Sequence, residues 1–217
     1  MTAFRERSHP MDVIQAIRER RSINFFEVGF SLSVDTLQEL IRIANLSPSS
    51  FNLQPWRLIV VRDPERKKVL RRCAFNQPKV EEASAVFIMI ADPNGVEENL
   101  DRVLGSWQEL GFITPEMKDT YIGMAKDLYG TKESLRRKIF AAKNTGLFAM
   151  NLMLAAKGFG LETHPMDGFD EECIKKEFAI PDDKIIPMLI AVGKLKTGTA
   201  LLPRAFRREI EEFVRFV

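Results

Sequence analysis

Five groups of residues in this 217-residue chain have the types and spacing to hold a charged small molecule. In the first, Ser47-Pro48-Ser49-Ser50-Phe51-Asn52-Leu53-Gln54-Pro55-Trp56, hydroxyl and amide side chains lie between two prolines and the stretch closes on a tryptophan. Proline fixes the backbone and Ser and Asn favour turns, so the stretch is expected to form a rigid loop whose hydroxyls and amides point at a partner. The plainer alternative is a turn between a helix and a strand, with Trp56 as a core anchor. Arg20-Arg21-Ser22 lies about one helix upstream, and Arg204, Arg207 and Arg208 form a second basic group near the C-terminus. Brought together, the two basic groups suit a phosphate monoester, because guanidinium forks and a serine hydroxyl satisfy its oxygens with charge-assisted hydrogen bonds. Left apart, each is a solvated charged face. Asn76-x-x-Lys79 and Pro165-Met166-Asp167-Gly168 complete the set.

Other chemistries fit less well. Gly158-Phe159-Gly160 lacks the third glycine and the preceding strand of a dinucleotide fingerprint, and there is no phosphate-binding loop of the nucleotide-hydrolase type. His9 and His164 are the only histidines, and neither has a partner at metal-ligand spacing, so no metal centre is expected. Ser49 or Ser50 with His164 and Asp167 would compose a hydrolase triad, but the nucleophile-elbow pattern Gly-x-Ser-x-Gly is absent. Lys and Arg total 32 against 30 Asp and Glu, which implies no polycationic surface for nucleic acid or anionic lipid. Any basic function is therefore local. Cys73 and Cys173 lie far apart without a Cys-x-x-Cys pairing, which argues against a disulfide and for a reducing cytoplasm. Met1 to Arg7 lacks the apolar core of a secretory signal.

The elements that position these groups follow from periodicity. Met11 to Arg20 reads as an amphipathic helix behind Pro10, and Ser33 caps a second with Leu37, Leu40, Ile41 and Ala44 on one face. Arg57 to Arg62 reads as a buried strand, and Asp63-Pro64-Glu65 then starts a helix to about Cys73. Val86 to Ala91 is a second strand and Ile185 to Val192 a third, although Pro187 sits poorly inside a central strand. Helices are expected over 96–110, 115–129 and 131–157. The last is apolar on all sides from Gly146 to Ala156, as in a helix buried in a subunit interface or in the core of a monomer. The apolar stretch Thr145 to Leu161, broken by Asn151 and Lys157, is short for a membrane span. No repeat or low-complexity tract divides the chain, and 45% apolar content suits one globular domain.

Taken in order, these motifs resemble the FMN-dependent nitroreductase family, of the oxygen-insensitive NAD(P)H nitroreductase type, from about Met11 to the C-terminus. The resemblance implies an α+β fold, a three-layer α/β/α arrangement with a mixed, largely antiparallel central sheet, in an intertwined homodimer with FMN at the subunit interface. Residues 1–217 would form a single domain, with an N-terminal extension at 1–10 and a C-terminal arm at 203–217 that embraces the partner. Arg20 and Ser22, with Arg204 and Arg207 or Arg208, would hold the FMN phosphate, and Arg21 would follow the ribityl chain. Asn76 and Lys79 would face the pyrimidine edge of the flavin, where a cation stabilises the charge gathered on reduction. Pro48, Ser49, Ser50, Asn52 and Gln54 would approach FMN from the other subunit.

Pro165, Met166, Asp167 and Gly168 would cover one flavin face, with a backbone N–H of Asp167 or Gly168 directed at N5. Leu128 or Tyr129 would line the entrance. The implied activity is ping-pong: NADH or NADPH passes hydride to N5 and leaves, and a small-molecule acceptor such as a nitroaromatic or a quinone takes its place. No side chain is required as a nucleophile or base, and neither membrane nor nucleic acid is implied as a partner. Three departures stand out: Asn24 where a lysine often follows the Arg-x-Ser motif, Asp167 in place of a glutamate, and a blurred spacing in Arg204-Ala205-Phe206-Arg207-Arg208. Within the same fold a dehalogenase-like or flavin-fragmenting enzyme is an alternative, as is a non-catalytic or regulatory flavin-binding protein.

Overall fold

The structure, a computed structural model, describes residues 11–217. The expectations placed on the N-terminal extension, Pro10 and His9 lie outside those residues. In chain order the elements are α1 (Val13–Glu19), α2 (Val34–Ala44), β1 (Trp56–Val61), α3 (Pro64–Cys73), α4 (Lys79–Glu82), β2 (Ala85–Ala91), α5 (Gly95–Glu109), α6 (Lys118–Tyr129), α7 (Leu135–Gly158), β3 (Glu162–Met166), α8 (Glu171–Phe178) and β4 (Ile185–Gly193). Local chemistry sets several of their ends. Ser33 accepts from Thr36 N–H and Asp63 from Arg66 N–H, each meeting a backbone donor that the first turn leaves unpaired. The long apolar helix begins at Leu135, four residues later than periodicity suggests, and is capped by Ser134, whose hydroxyl accepts from Arg137 N–H.

The four strands form one sheet in the order β1-β2-β4-β3, all neighbours antiparallel. A parallel bridge between Ser22 and Thr163 adds the mixed character on the β3 side. Every residue of β2 is buried because both sheet faces are covered. On one face Val86, Ile88, Ile90 and Leu189 pack with Leu70, Cys73, Val80 and Ile174 from α3, α4 and α8. On the other, Phe87, Met89 and Val192 pack with Leu37 and Leu40 of α2 and Phe148 and Leu152 of α7. These make the three layers. A third cluster joins α5, α6 and the first half of α7 around Leu53, Leu100, Tyr129 and Phe140.

Pro187 is accommodated where the pairing of β2 and β4 slips between Met89 and Ala91, and the β3 pairing ends earlier, at Met166 opposite Leu189. Helix α7 runs 24 residues and is long and apolar enough to cross a membrane, yet half of its apolar window is buried within the fold. Here it is a core helix. The expectation of unpaired cysteines is corrected: Cys73 and Cys173 form a disulfide across a sequence separation of 100. Packing of α8 on α3 brings them together, and Asp170 N–H donates to the Cys73 carbonyl at 2.8 Å. Distance along the chain says nothing about that contact. Beyond β4 the arm 201–217 is exposed throughout and carries a single turn of 3-10 helix, Ile210–Glu212.

Candidate functional site

Four of the five polar groups meet along β3. The segment Arg20-Arg21-Ser22 leaves the end of α1 and lies beside the strand, with Ser22 bridged to Thr163 and Ile23 N–H donating to the Thr163 carbonyl at 3.2 Å. From the far end of the same strand, the loop after Met166 receives Gln77, whose amide donates to the Gly168 carbonyl at 2.7 Å. A Cβ on Gly168 would stand 3.2 Å from that amide nitrogen, so a side chain there would require the Gln77 amide to shift by a few tenths of an ångström. Met166 buries its side chain in the core and Pro165 is half-buried, whereas Asp167 and Gly168 are exposed. Asn76 is exposed in a left-handed conformation at φ 58°, held by bonds between its own backbone and Arg71. Asn24 is exposed at a bend.

The electrostatics of this edge are unusual. Arg20 Nη1 is buried and has no hydrogen-bond partner. Burial draws the Arg20 guanidinium below its ordinary value, and the charges of Arg204, Arg207 and Arg21 draw it further, against the opposing Glu162 carboxylate. Arg204 reaches this place by donating to the carbonyls of Arg18 and Arg20, the latter at 3.1 Å. Arg21 donates to the Leu202 carbonyl at 3.0 Å. These bonds tie the arm to the end of α1. Arg208 lies with its guanidinium over the Phe213 ring, 5.0 Å from the centroid. Arg204 and Arg207 are the two C-terminal arginines whose charges act on Arg20.

A second cation stands on the same edge. Lys79 opens α4 and its ammonium lies 3.2 Å from His164 Nε2, while His164 Nδ1 lies 2.7 Å from the Ile23 carbonyl. Burial lowers the Lys79 ammonium, and burial together with the Lys79 charge lowers His164 despite its bond to Ile23. Gln77 and His164 were not among the expected site residues. Gln77 sits inside the Asn76-to-Lys79 motif. His164 adjoins Pro165, a neighbourhood that could have marked it. Its ring nitrogens are engaged with Ile23 and Lys79, Ser50 faces Tyr129 and Ser49 faces Gln54, so the hydrolase triad does not form among the described residues.

The Ser47–Trp56 loop is elsewhere. It leads into β1, the opposite edge of the sheet, three strand spacings or about 14 Å from β3. Within the chain each of its serine hydroxyls has a hydrogen-bond partner. Ser47 donates to the Ala44 carbonyl at 2.6 Å and accepts from Asn151, Ser49 accepts from Gln54 N–H at 3.0 Å, and Ser50 bonds Tyr129. Ser50 N–H donates to Asn144 Oδ1, and positive φ at Phe51, Asn52 and Gln54 gives the loop its sharp path. Trp56 is core, packed on Phe148 with Nε1–H on Asn45. Pro48 and Asn52 remain exposed, and a cavity of about 610 Å³ opens beside Asn52 and Gln54, with Arg57, Asp92 and Arg102 among its walls. Tyr129 is buried and Leu128 exposed at the end of α6.

Residues 17–194 match the model of the Nitroreductase family. A candidate NAD(P)H nitroreductase of Bacillus subtilis is 32% identical over 93% of this chain and 97% of its own length. Among solved structures, a candidate nitroreductase from Bacillus subtilis superposes with a TM-score of 0.88 at 30% identity, covering 94% of this chain and 98% of that one. A candidate nitroreductase from Exiguobacterium sibiricum, solved in complex with FMN, superposes with a TM-score of 0.83 at 28% identity, covering 95% of this chain and 97% of the other.

Proposed function

Because this chain belongs to the nitroreductase family, we propose that it is an FMN-dependent NAD(P)H oxidoreductase with its cofactor on the β3 edge. The observation that carries the assignment is the buried, unpartnered Arg20 guanidinium nitrogen among three further arginines. Here one carboxylate, Glu162, faces Arg20 and three neighbouring arginines, and Arg20 Nη1 has no acceptor, so positive charge is in excess; a phosphate supplies both charge and acceptors. Arg20, Ser22, Arg204 and Arg207 would hold the phosphate and Arg21 the ribityl side. Lys79 and Asn76 would face the pyrimidine edge, and Gly168, which has no side chain, would let the ring lie against the backbone.

When bound, FMN supplies two-electron chemistry at N5, accepting hydride from NADH or NADPH and returning it to a nitroaromatic, quinone or similar acceptor. The chain's residues bind, orient and supply charge. Reductant and oxidant take turns on one exposed face. The site is completed in a homodimer, with Pro48, Ser49, Ser50, Asn52 and Gln54 arriving from a second copy. Two features support that reading. The loop cannot serve the β3 edge of its own chain, and the arm exposes Phe206, Ile210, Phe213 and Phe216, apolar surface that suits a partner subunit. The 203–217 arm then belongs with residues 1–202 in one FMN-binding domain. A dependence on NAD(P)H would suit a cytoplasmic location.

Anaerobic titration tests the assignment. Protein loaded with FMN should bleach on addition of NADH or NADPH and recover its colour with a quinone. Loaded protein that keeps its colour with both nicotinamides refutes the oxidoreductase reading and favours a flavin-binding protein without catalysis. A monomer in sedimentation that still retains FMN refutes the shared site.

A further inference from the structure

Among the described residues Lys68, Lys118, Lys157, Lys175 and Lys184 each pair with a carboxylate. Lys67 and Lys79 do not: Lys67 donates to the backbone carbonyls of Glu81 and Ala83, whereas Lys79 meets a side-chain ring. Its polar partner is His164 Nε2 at 3.2 Å. An ammonium can only donate, so Nε2 must present a lone pair. A carbonyl can only accept, so Nδ1, 2.7 Å from the Ile23 carbonyl, must carry the proton. The two contacts together require one neutral tautomer, and the burial that lowers His164 agrees with a neutral ring. A half-buried cation is therefore held by a neutral acceptor that orients it while leaving its charge whole.

We propose that His164 is a positioning residue that aims Lys79 at the cofactor. The proposal rests on the FMN assignment above. The anchor is firm, because Ile23 is 1% exposed and its N–H is bonded to Thr163 beside the histidine. One of the three ammonium donors is used by the ring and two stay free for an acceptor on the cofactor. A carboxylate in place of His164 would hold the lysine equally well but would cancel its charge. Neutral imidazole keeps the full positive charge for the pyrimidine edge, where negative charge gathers on two-electron reduction. His164 thus acts on the cofactor through Lys79 and makes reduction easier.

Four variants and one spectrum test this. His164→Asn can keep the bond to Ile23 but loses the acceptor for Lys79, and His164→Gln restores an acceptor close to the place of Nε2. His164→Asn should weaken binding of reduced FMN relative to oxidised FMN about tenfold, a fall of about 30 mV in the two-electron midpoint potential. His164→Gln should recover most of that loss. In a Lys79→Met background, His164→Asn should leave the potential where Lys79→Met alone puts it. An unchanged potential in His164→Asn, or the same fall in the Lys79→Met background, overturns the proposal. Nitrogen NMR of the flavin-free protein should show the Nδ1–H tautomer at His164, and an Nε2–H tautomer overturns the proposal regardless of flavin. Wild-type protein that takes up no FMN refutes the cofactor assignment, and this proposal with it. FMN-loaded protein with either contrary result refutes the positioning role alone.

Discussion

The Ser47–Trp56 loop and the β3 edge are built in opposite ways from similar polar residues. In the loop each serine hydroxyl has a partner inside the chain, and the strand that follows is tied to Asp92, whose N–H donates to the Pro55 carbonyl at 2.8 Å. On the β3 edge Arg20 keeps a buried nitrogen unpaired and Lys79 keeps a charge uncompensated. Buried polar groups in folded proteins nearly always find partners, so a satisfied cluster reads as scaffold and an unsatisfied one as a surface awaiting a ligand. The difference separates two roles that composition had merged. The loop is a stiff part that can be presented to a second copy, and the edge carries the positive charge that the proposed cofactor would meet.

The sharpest way to break that distinction is to attack the anchor behind the loop. Asp92 is 1% exposed and accepts from Lys184 at 2.7 Å and from Arg57 at 2.6 Å. Asp92→Ala strands a buried lysine and should lower stability by about 3 kcal/mol, the low end for a broken buried pair because Asp183 stays beside Lys184. Urea unfolding measures it. Burial opposes ionisation of Asp92, but the bonds from Lys184, Arg57 and Asn94 N–H outweigh it and hold its pKa below the ordinary value. A depressed pKa contributes stability that is present above the unfolded-state value of 3.8 and is lost as pH falls through the lower folded-state value. The variant should lack that acid-range loss, and a variant as stable as wild type would show that the loop needs no anchor.

Arg20→Ala should have the opposite character. Removing charge-assisted bonds to a phosphate should weaken FMN binding by about 1.5–3 kcal/mol, read by flavin fluorescence titration. Stability of the flavin-free protein should hold or rise slightly, since the substitution relieves desolvation and the repulsion from Arg204, Arg207 and Arg21. A variant that unfolds more easily without flavin while binding FMN normally would make Arg20 scaffold too, and the comparison would collapse.

How far the sequence reached depends on whether the cause was local. Helix α2 and the start of α3 were legible because Ser33 and Asp63-Pro64 act within one turn of themselves. Strand β2 was legible from its apolar β-branched run. Strand β3, Glu162-Thr-His-Pro-Met, has little of that signal and becomes a strand by pairing with β4 from Glu162 opposite Gly193 to Met166 opposite Leu189. The α3–α8 contact that joins Cys73 to Cys173 is likewise a product of tertiary packing. In the site, residue types pointed to a phosphate, but which arginines converge depends on the path of an arm without periodicity. The partners of Ser49 and Ser50 were not legible, because a hydroxyl that suits a ligand also suits a neighbouring tyrosine or backbone amide.

That last ambiguity sets the smallest prediction. Ser50 and Tyr129 bond to each other, and Tyr129 is 4% exposed, so neither hydroxyl can be exchanged for bulk water without disturbing the packing. Ser50→Ala should cost about 1 kcal/mol, and Tyr129→Phe a similar amount. The double variant should cost clearly less than the sum, because each single change leaves one buried hydroxyl without its partner while the pair of changes removes both. Strict additivity in urea unfolding would mean that the two hydroxyls do not depend on each other. Ser50 would then be free to turn outward, and the loop would have to be counted as a second ligand-directed surface instead of the rigid element that supports the first.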